Sequence, residues 1–499
     1  MPQSLVDQLA RRYGIVARYT GFDGEPVHVP RDSRRRLLAG LGLDVDDEAA
    51  LAAALAAAPA AAPRLGRSAA PPCHVPDDLA AHPAWGITLQ LYELRSARNW
   101  GIGDFEDLAV LGELAARAGA DFIGLTPLHA PFLAAPERCS PFSPSNRRFL
   151  NPLYIAIDRV PGYTGDLAAA LPLERLRAAE LVDYAAVAAV KRPVLAALWR
   201  RWRDDLAAAR PELASAFARF REEGGRALER HALFEAISAR MAETGAGAGW
   251  HGWPERLHDP DGAAAAAFAR EHADAVSFHA WLQWLADSQL ARAADRLAAA
   301  GMRVGLYLDL AVGEAPDGSA VWGARHQHLT GATVGAPPDY FTSGGQDWGV
   351  AGLSPLALVE DDGAAWAELV ARAARHAGAL RIDHVMALWQ LFFIPAGARP
   401  ADGAYVRFPI ARILERLAAQ SHAARVTLIG EDLGLVPAGF RGVMREAGIL
   451  SYRVFYFEKA AGAGFRAARA YPRQALACLS THDLPTLRGW WRGSDVALR

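Results

Sequence analysis

A chain of 499 residues with 52% hydrophobic and 22% charged side chains has the ordinary globular mix and argues against global disorder; it suffices for one large catalytic domain with an appendage, or for three average domains. Lys and Arg total 53 against 55 Asp and Glu, for a formal charge of -2, and no basic stripe with interleaved aromatics appears, so a neutral or mildly polar substrate fits better than nucleic acid. Cys73, Cys139 and Cys478 lack CxxC spacing, MPQSLVDQLARRYG lacks a signal-peptide apolar core, and no stretch of about twenty residues reads as a membrane span, so a soluble cytoplasmic protein without disulfides or zinc is expected.

In chain order, residues 1–43 read as a small helical module: SLVDQLARRYG has helical periodicity, and SRRRLLAGLGL offers Ser33 as an N-cap and ends in glycines. Residues 44–84 read as a short Ala-rich helix followed by an extended Ala/Pro-rich linker. The main domain, 85–499, then alternates apolar strand-like runs with helical segments, the signature of an α/β fold on a parallel sheet.

Seven such runs stand out: GITLQLY (86–92), DFIGLTPL (121–128), RVGLYLDL (303–310), LRIDHVM (380–386), TLIGEDL (427–433), SYRVFYF (451–457) and ACLSTHD (477–483). Apolar strands that end in Asp, Glu or His are what a TIM-type (β/α) barrel shows, because its active site is built at the strands' C-terminal ends. Between the second and third runs, about 130–300, the helical patterning far exceeds a βα connection and implies an inserted helical subdomain.

Asp383 in LRIDHVM, Glu431 in LIGEDLG and Asp483 in STHDLPT lie at successive strand ends. Retaining cleavage of a glycosidic bond needs two carboxyls about 5 Å apart, one ionised to attack the anomeric carbon and one protonated to release the leaving oxygen. Arg381 precedes Asp383 by two positions and shares its strand face, so its guanidinium can keep that carboxylate ionised. Glu431 has no adjacent cation, and an enclosed site would favour its protonated form. Taken singly, each acid also suits a solvated loop or a helix cap. The 14 tryptophans suit either sugar faces or the core.

ALRIDHVMAL, TLIGEDLGLVP and STHDLPTLRGWW together resemble the conserved segments of 4-α-glucanotransferases of the amylomaltase type. The resemblance runs from about Trp85 to Trp491 and includes QLYELRSARNWGIGDF, SPFSPSNRRFLNPLYI, WHGWPE, GLYLDLAVGEAPDG, GAPPDYF and GQDWG. It implies transfer of an α-1,4-glucan segment to the 4-hydroxyl of glucose or another glucan by retaining double displacement. Asp383 is then the nucleophile, Glu431 the general acid and base, and Asp483 a third acid that binds sugar hydroxyls. His384 and His482 would donate hydrogen bonds to the sugar, a structural role within the barrel being the other role open to them; Asp309 resembles a family acid at the subsite floor. Tyr340 and Phe341, after the Pro-rich turn GAPPD, would lie on a loop over the cleft, with Gln346 contacting substrate and Trp348 as a stacking platform. The implied partners are α-1,4-glucans and maltooligosaccharides, with glucose as acceptor and neither nucleic acid nor membrane.

The sequence departs from the family pattern at Phe142, where tyrosine is common, and in VAGLSP, where a WG-x-P turn is usual. The last run lies near the end of the sequence, so the barrel is expected to lack its eighth strand, as a truncated chain would. The Ala-rich linker also stands where longer bacterial members have extra β structure. Two alternatives are an α-1,4-glucan hydrolase and an inactive glucan-binding fragment. No GxGxxG loop, HExxH, EF-hand or Cys cluster appears, so no cofactor or metal is expected.

Overall fold

The computed structural model describes residues 4–59, 61–340, 342–460, 462 and 464–497; Phe341, expected on the covering loop, lies outside them. Strands β1 (Gly86–Leu89), β2 (Phe122–Leu125), β3 (Gly305–Leu310), β4 (Ala379–Ile382), β5 (Thr427–Gly430), β6 (Leu450–Val454) and β7 (Ala475–Cys478) form one parallel sheet in sequence order. Each overlaps one of the seven apolar runs.

Helices Phe105–Arg117, Ala364–Ala373, Ile410–Ala424 and Phe440–Glu446 provide crossovers, and a sheet so connected in sequence order curls into an incomplete TIM-type barrel. The first of these starts sharply because Asp104 and Asp107 form a reciprocal capping box. Every residue of β2, β3, β4 and β5 is buried, whereas β1 and β7, the two sheet edges, are only partly covered.

Alternation along the strands sends Phe122, Tyr307, Ala379, Ile429, Tyr452 and Val454 into one internal cluster. A cavity of 580 Å³ at the N-terminal ends of the strands is lined by several of these together with Leu450, Leu476, Val75 and Leu79.

Between β2 and β3 lie the long helices Tyr184–Arg201, Pro211–Glu243 and Ala273–Ala299. Trp199, Trp202, Phe217, Trp281 and Trp284 pack ring against ring among them. Ten of the 14 tryptophans are buried, so most of that aromatic signal is core. The insertion is pinned to the chain after β3 by a buried charge cluster. Arg147 donates to the Ala311 and Val312 carbonyls at 2.8 and 3.0 Å and pairs with Glu314, which also faces His328 Nε2 at 3.0 Å. Removing one member would strand a buried charge, at a cost of about 3–5 kcal/mol.

A second, antiparallel sheet orders the strands Ala404–Arg407, Gln390–Pro395, Ala332–Ala336 and Gln346–Val350. Its strands come from the segments that follow β3 and β4, so it stands over the C-terminal end of the barrel. The N-terminal residues dock there: Ile15 bridges Val406, Val16 N donates to Tyr405 O at 3.0 Å, and Tyr19 meets Phe392 and Tyr405 edge-on.

That N-terminal region contains helices Leu5–Arg12 and Arg31–Gly40, plus a hairpin of Arg18–Thr20 with Pro26–His28 that periodicity did not announce. Ser33 is not an N-cap. The helix begins two residues earlier after Pro30, whose φ of -54° already suits helix entry, and Ser33 is buried within it. The Ala/Pro-rich stretch forms helix Glu48–Ala57, capped by Asp47, and then lies along the barrel. Cys73 N donates to Ala447 O and His74 N to Ser421 Oγ, both at 2.8 Å, so this stretch, read as an extended linker, is tied to the barrel. No helix among the described residues is long and apolar enough to cross a membrane.

Candidate active site

The central strands aim their inner-face residues at one point. In register, Arg381 on β4 stands beside Asp309 on β3 and Ile429 on β5. Two residues further along the same faces come Asp383 and Glu431, just beyond the strand ends.

Arg381 joins the acids. Its Nη1 donates to both Asp309 oxygens at 2.8 and 2.9 Å, and its Nη2 lies 2.8 Å from Asp383 Oδ1. The guanidinium carbon sits 5.2 Å from the Tyr452 ring centre, so one aromatic face backs the cation. The sequence reading paired Arg381 with Asp383; the structure shows one cation divided between Asp383 and the more deeply buried Asp309. Burial, and then Asp383, push the Asp309 carboxyl upward against the pull of Arg381.

Glu431 is held by main chain. His384 N donates to its Oε2 at 3.0 Å and Leu433 N to its Oε1 at 2.7 Å. Burial first, and the neighbouring Asp383 second, raise its carboxyl to about 7, although Arg381 and the two amides oppose this. A group at that value carries a proton through much of the neutral range, as a general acid must.

His384 reaches its position through a left-handed backbone, φ +46°, which turns its N–H toward Glu431. Desolvation lowers its ring to about 4 and leaves it neutral at pH 7. Trp348 meets that ring edge-on at 5.3 Å, and Trp348 Nε1 donates to Gln346 Oε1 at 3.2 Å. Asp309, Arg381, Asp383, His384 and Glu431 therefore converge, with Trp348 and Gln346 reaching in from the antiparallel sheet.

Other expected residues stay outside this group. Asp483 is 78% exposed at its side chain, with His482 Nε2 3.2 Å from its Oδ2. Asp483 thus stands exposed where Glu431 is buried: among the described strands β7 is an edge, bonded only to β6. His482 itself is close enough to feel Arg381 and Asp383, and burial lowers its value. Phe142 stacks on the His482 ring at 4.1 Å and 15°, so the residue that departs from the family pattern fixes that imidazole's plane. Tyr340 is 81% exposed and lies apart from the acids, edge-on to Phe22 at 4.7 Å.

Asp432 was missed by the sequence reading. Facing away from Glu431, its carboxylate accepts from Arg441 Nε at 2.8 Å, Tyr452 N at 3.1 Å and Ser451 Oγ, tying the end of β5 to β6. The signal was present in GED: consecutive strand residues point to opposite faces, so one acid serves the interior and the next the scaffold. Among the described residues no group of three His, Cys, Asp or Glu side chains is arranged to hold a metal ion.

Chemically, the arrangement pairs a cation-held carboxylate with a proton-bearing one beside a neutral imidazole and an indole. The chain matches the family model described as 4-alpha-glucanotransferase over residues 89–497. It is 39% identical over 445 residues to a 4-alpha-glucanotransferase of Mycobacterium tuberculosis, covering 85% of this chain and 60% of the relative. It is 36% identical over 439 residues to one of Haemophilus influenzae, covering 85% and 62%. The chain therefore spans about three fifths of the length of these curated relatives. Among solved structures, an amylomaltase from Corynebacterium glutamicum superposes with a TM-score of 0.84 at 27% identity, covering 99% of this chain and 81% of that one. An amylomaltase from Streptococcus agalactiae, in complex with acarbose, shares the fold with a TM-score of 0.70 at 18% identity, covering 82% and 81%.

Proposed function

The chain belongs to the 4-alpha-glucanotransferase family, and on that premise we propose that it moves a segment of an α-1,4-glucan onto the 4-hydroxyl of glucose or of another glucan. The observation that carries this reading is the unequal pair of acids: Asp383 held by Arg381, and Glu431 raised to about 7 without a cation of its own.

In the first half-reaction an Asp383 oxygen attacks the anomeric carbon as the glycosidic bond breaks, and Glu431 gives its proton to the leaving oxygen. The shortened glucan departs and its remainder stays esterified to Asp383. Glu431, now ionised, takes the proton from an acceptor 4-hydroxyl, whose oxygen attacks the same carbon and releases Asp383. Two displacements restore the α configuration. Sugar in place of water as the second nucleophile makes this transfer.

Asp309 and Arg381 form the floor under the reacting sugar and hold the orientation of Asp383. Neutral His384 offers a hydrogen bond to a sugar hydroxyl, and Trp348 an apolar face to a sugar ring. Asp483 and His482 bind further hydroxyls once the edge turn closes on the substrate. The substrates of this reading are maltooligosaccharides and longer α-1,4-glucans with glucose as acceptor, and a cytoplasmic location is part of it, supported by three cysteines that stand free.

Incubating the purified chain with maltotriose and separating the products tests it. A ladder of longer maltooligosaccharides together with glucose is expected. Glucose and maltose with no product longer than the substrate would mean hydrolysis and overturn the reading.

A further inference from the structure

Tyr452 comes from SYRVFYF, the run that forms β6, and strand alternation turns its ring into the barrel. There it packs with Phe122, Tyr307, Ala379 and Ile429 and is 6% exposed. The ladder between β5 and β6 is short, pairing Ile429 with Leu450 and Gly430 with Ser451. Beyond those pairs a side chain takes over. The Asp432 carboxylate accepts from Tyr452 N at 3.1 Å and from Ser451 Oγ at 2.8 and 2.9 Å, and Arg441 Nε donates to it at 2.8 Å. The residue that follows the general acid thereby fixes where Tyr452 stands.

Against that ring lies the guanidinium shared by the acids, its carbon 5.2 Å from the ring centre. Arg381 gives Nη1 to both oxygens of Asp309 and places Nη2 2.8 Å from one oxygen of Asp383, and its buried Nε meets no acceptor among the described residues. Two acids therefore pull on the same end of the cation, and Asp309 holds it by two contacts where Asp383 has one. A guanidinium loosened from its support would follow the stronger hold and draw away from Asp383. An aromatic face attracts a planar cation through its quadrupole without using an N–H, so the Tyr452 ring steadies Arg381 and leaves its donors to the acids.

Resting on the glucan-transfer reading above, we propose that Tyr452 is a positioning residue for the nucleophile: its ring, set by Asp432, holds Arg381 where one cation reaches Asp309 and Asp383 together. Neighbours in the sequence then act on the two carboxyls of the reaction. Glu431 supplies the proton, and Asp432 acts through Tyr452 and Arg381 on the placement of Asp383. Because Tyr452 touches Arg381 rather than sugar, its effect falls on kcat more than on KM.

α-Glucosyl fluoride isolates the step concerned, since fluoride leaves without a proton from Glu431 and its release in the first turnover reads attack by Asp383. Tyr452→Leu keeps an apolar side chain but has no flat face. First-turnover release is expected to slow by about 10- to 100-fold, the range that a misplacement of about 1 Å costs, with KM for maltotriose nearly unchanged. Tyr452→Phe keeps the ring and most of the rate. Asp432→Asn, which preserves the shape of the carboxyl, is expected to slow fluoride release by a smaller factor, and it decides the matter if Tyr452→Leu fails to fold. Release by folded Tyr452→Leu as fast as by the unaltered chain, or a loss in Tyr452→Phe equal to that in Tyr452→Leu, overturns the positioning role. A loss in Asp432→Asn that is confined to maltotriose and absent with the fluoride overturns it as well, because that effect would pass through Glu431. Those results leave the glucan reading standing; it falls, and the proposal with it, when the unaltered chain neither releases fluoride nor lengthens maltotriose.

Discussion

The centre of the barrel sheet and its β7 edge carry acids of the same kind at equivalent strand ends and hold them very differently. Asp309, Asp383 and Glu431 sit on strands bonded on both sides, and each carboxylate is fixed by Arg381 or by a main-chain N–H. Asp483 follows a strand bonded on one side and stands 78% exposed. Flanking strands, more than the acid itself, decide how finely a carboxylate is placed. A neighbour on each side fixes the strand end in two directions, whereas an edge leaves the turn beyond it to find its position with the substrate.

Three substitutions bear on this contrast. Asp383→Asn acts on the attacking group and is expected to reduce transfer by about 10⁴-fold or more while maltooligosaccharide binding persists, because the amide keeps the shape but cannot attack. Turnover near that of the unaltered chain would dismiss the nucleophile assignment, and calorimetry reads the binding separately. Glu431→Gln should cost about 10²–10⁴-fold. Since the first step needs the protonated carboxyl, activity in the unaltered chain should be full below pH ~7 and fall as pH rises through that value. A donor with a leaving group that needs no proton, such as α-glucosyl fluoride, should lose that alkaline decline. A decline that persists with the fluoride would shift the assignment to another group.

Asp483→Asn is expected to have the smallest effect of the three, roughly 10- to 100-fold in kcat/KM, because it loses hydroxyl contacts and leaves the covalent chemistry intact. Amide hydrogen exchange gives the structural counterpart: residues 479–486 should exchange faster than 379–382 and 427–430, and saturating maltooligosaccharide should slow them selectively. Equal protection of the two regions without ligand would erase the contrast drawn between centre and edge.

Much of the centre was legible in the sequence. The apolar runs located all seven strands because a buried parallel strand is a continuous hydrophobic segment, and the two-residue period placed Arg381 and Asp383 on one face. The division of Arg381 between two acids was not legible, since it depends on the register of β3 against β4, which no local pattern encodes. The antiparallel sheet escaped for the same reason: its middle strands, Ala332–Ala336 and Gln390–Pro395, are brought together over a long sequence separation. The three-residue strands of the N-terminal hairpin are too short for any period, and Pro30 took over the start of a helix that Ser33 looked suited to cap. The outward position of Asp483 follows from strand order, which a motif such as STHD does not contain.

The way Glu431 is seated has an evolutionary consequence. Its two anchors are the N–H groups of His384 and Leu433, and a main-chain donor survives every point substitution except one to proline. Asp383 is oriented by a side chain, Arg381, which a single base change can remove. Drift can therefore remodel the pocket around the acid while its place is inherited with the backbone, whereas the nucleophile keeps its place only as long as selection keeps one arginine.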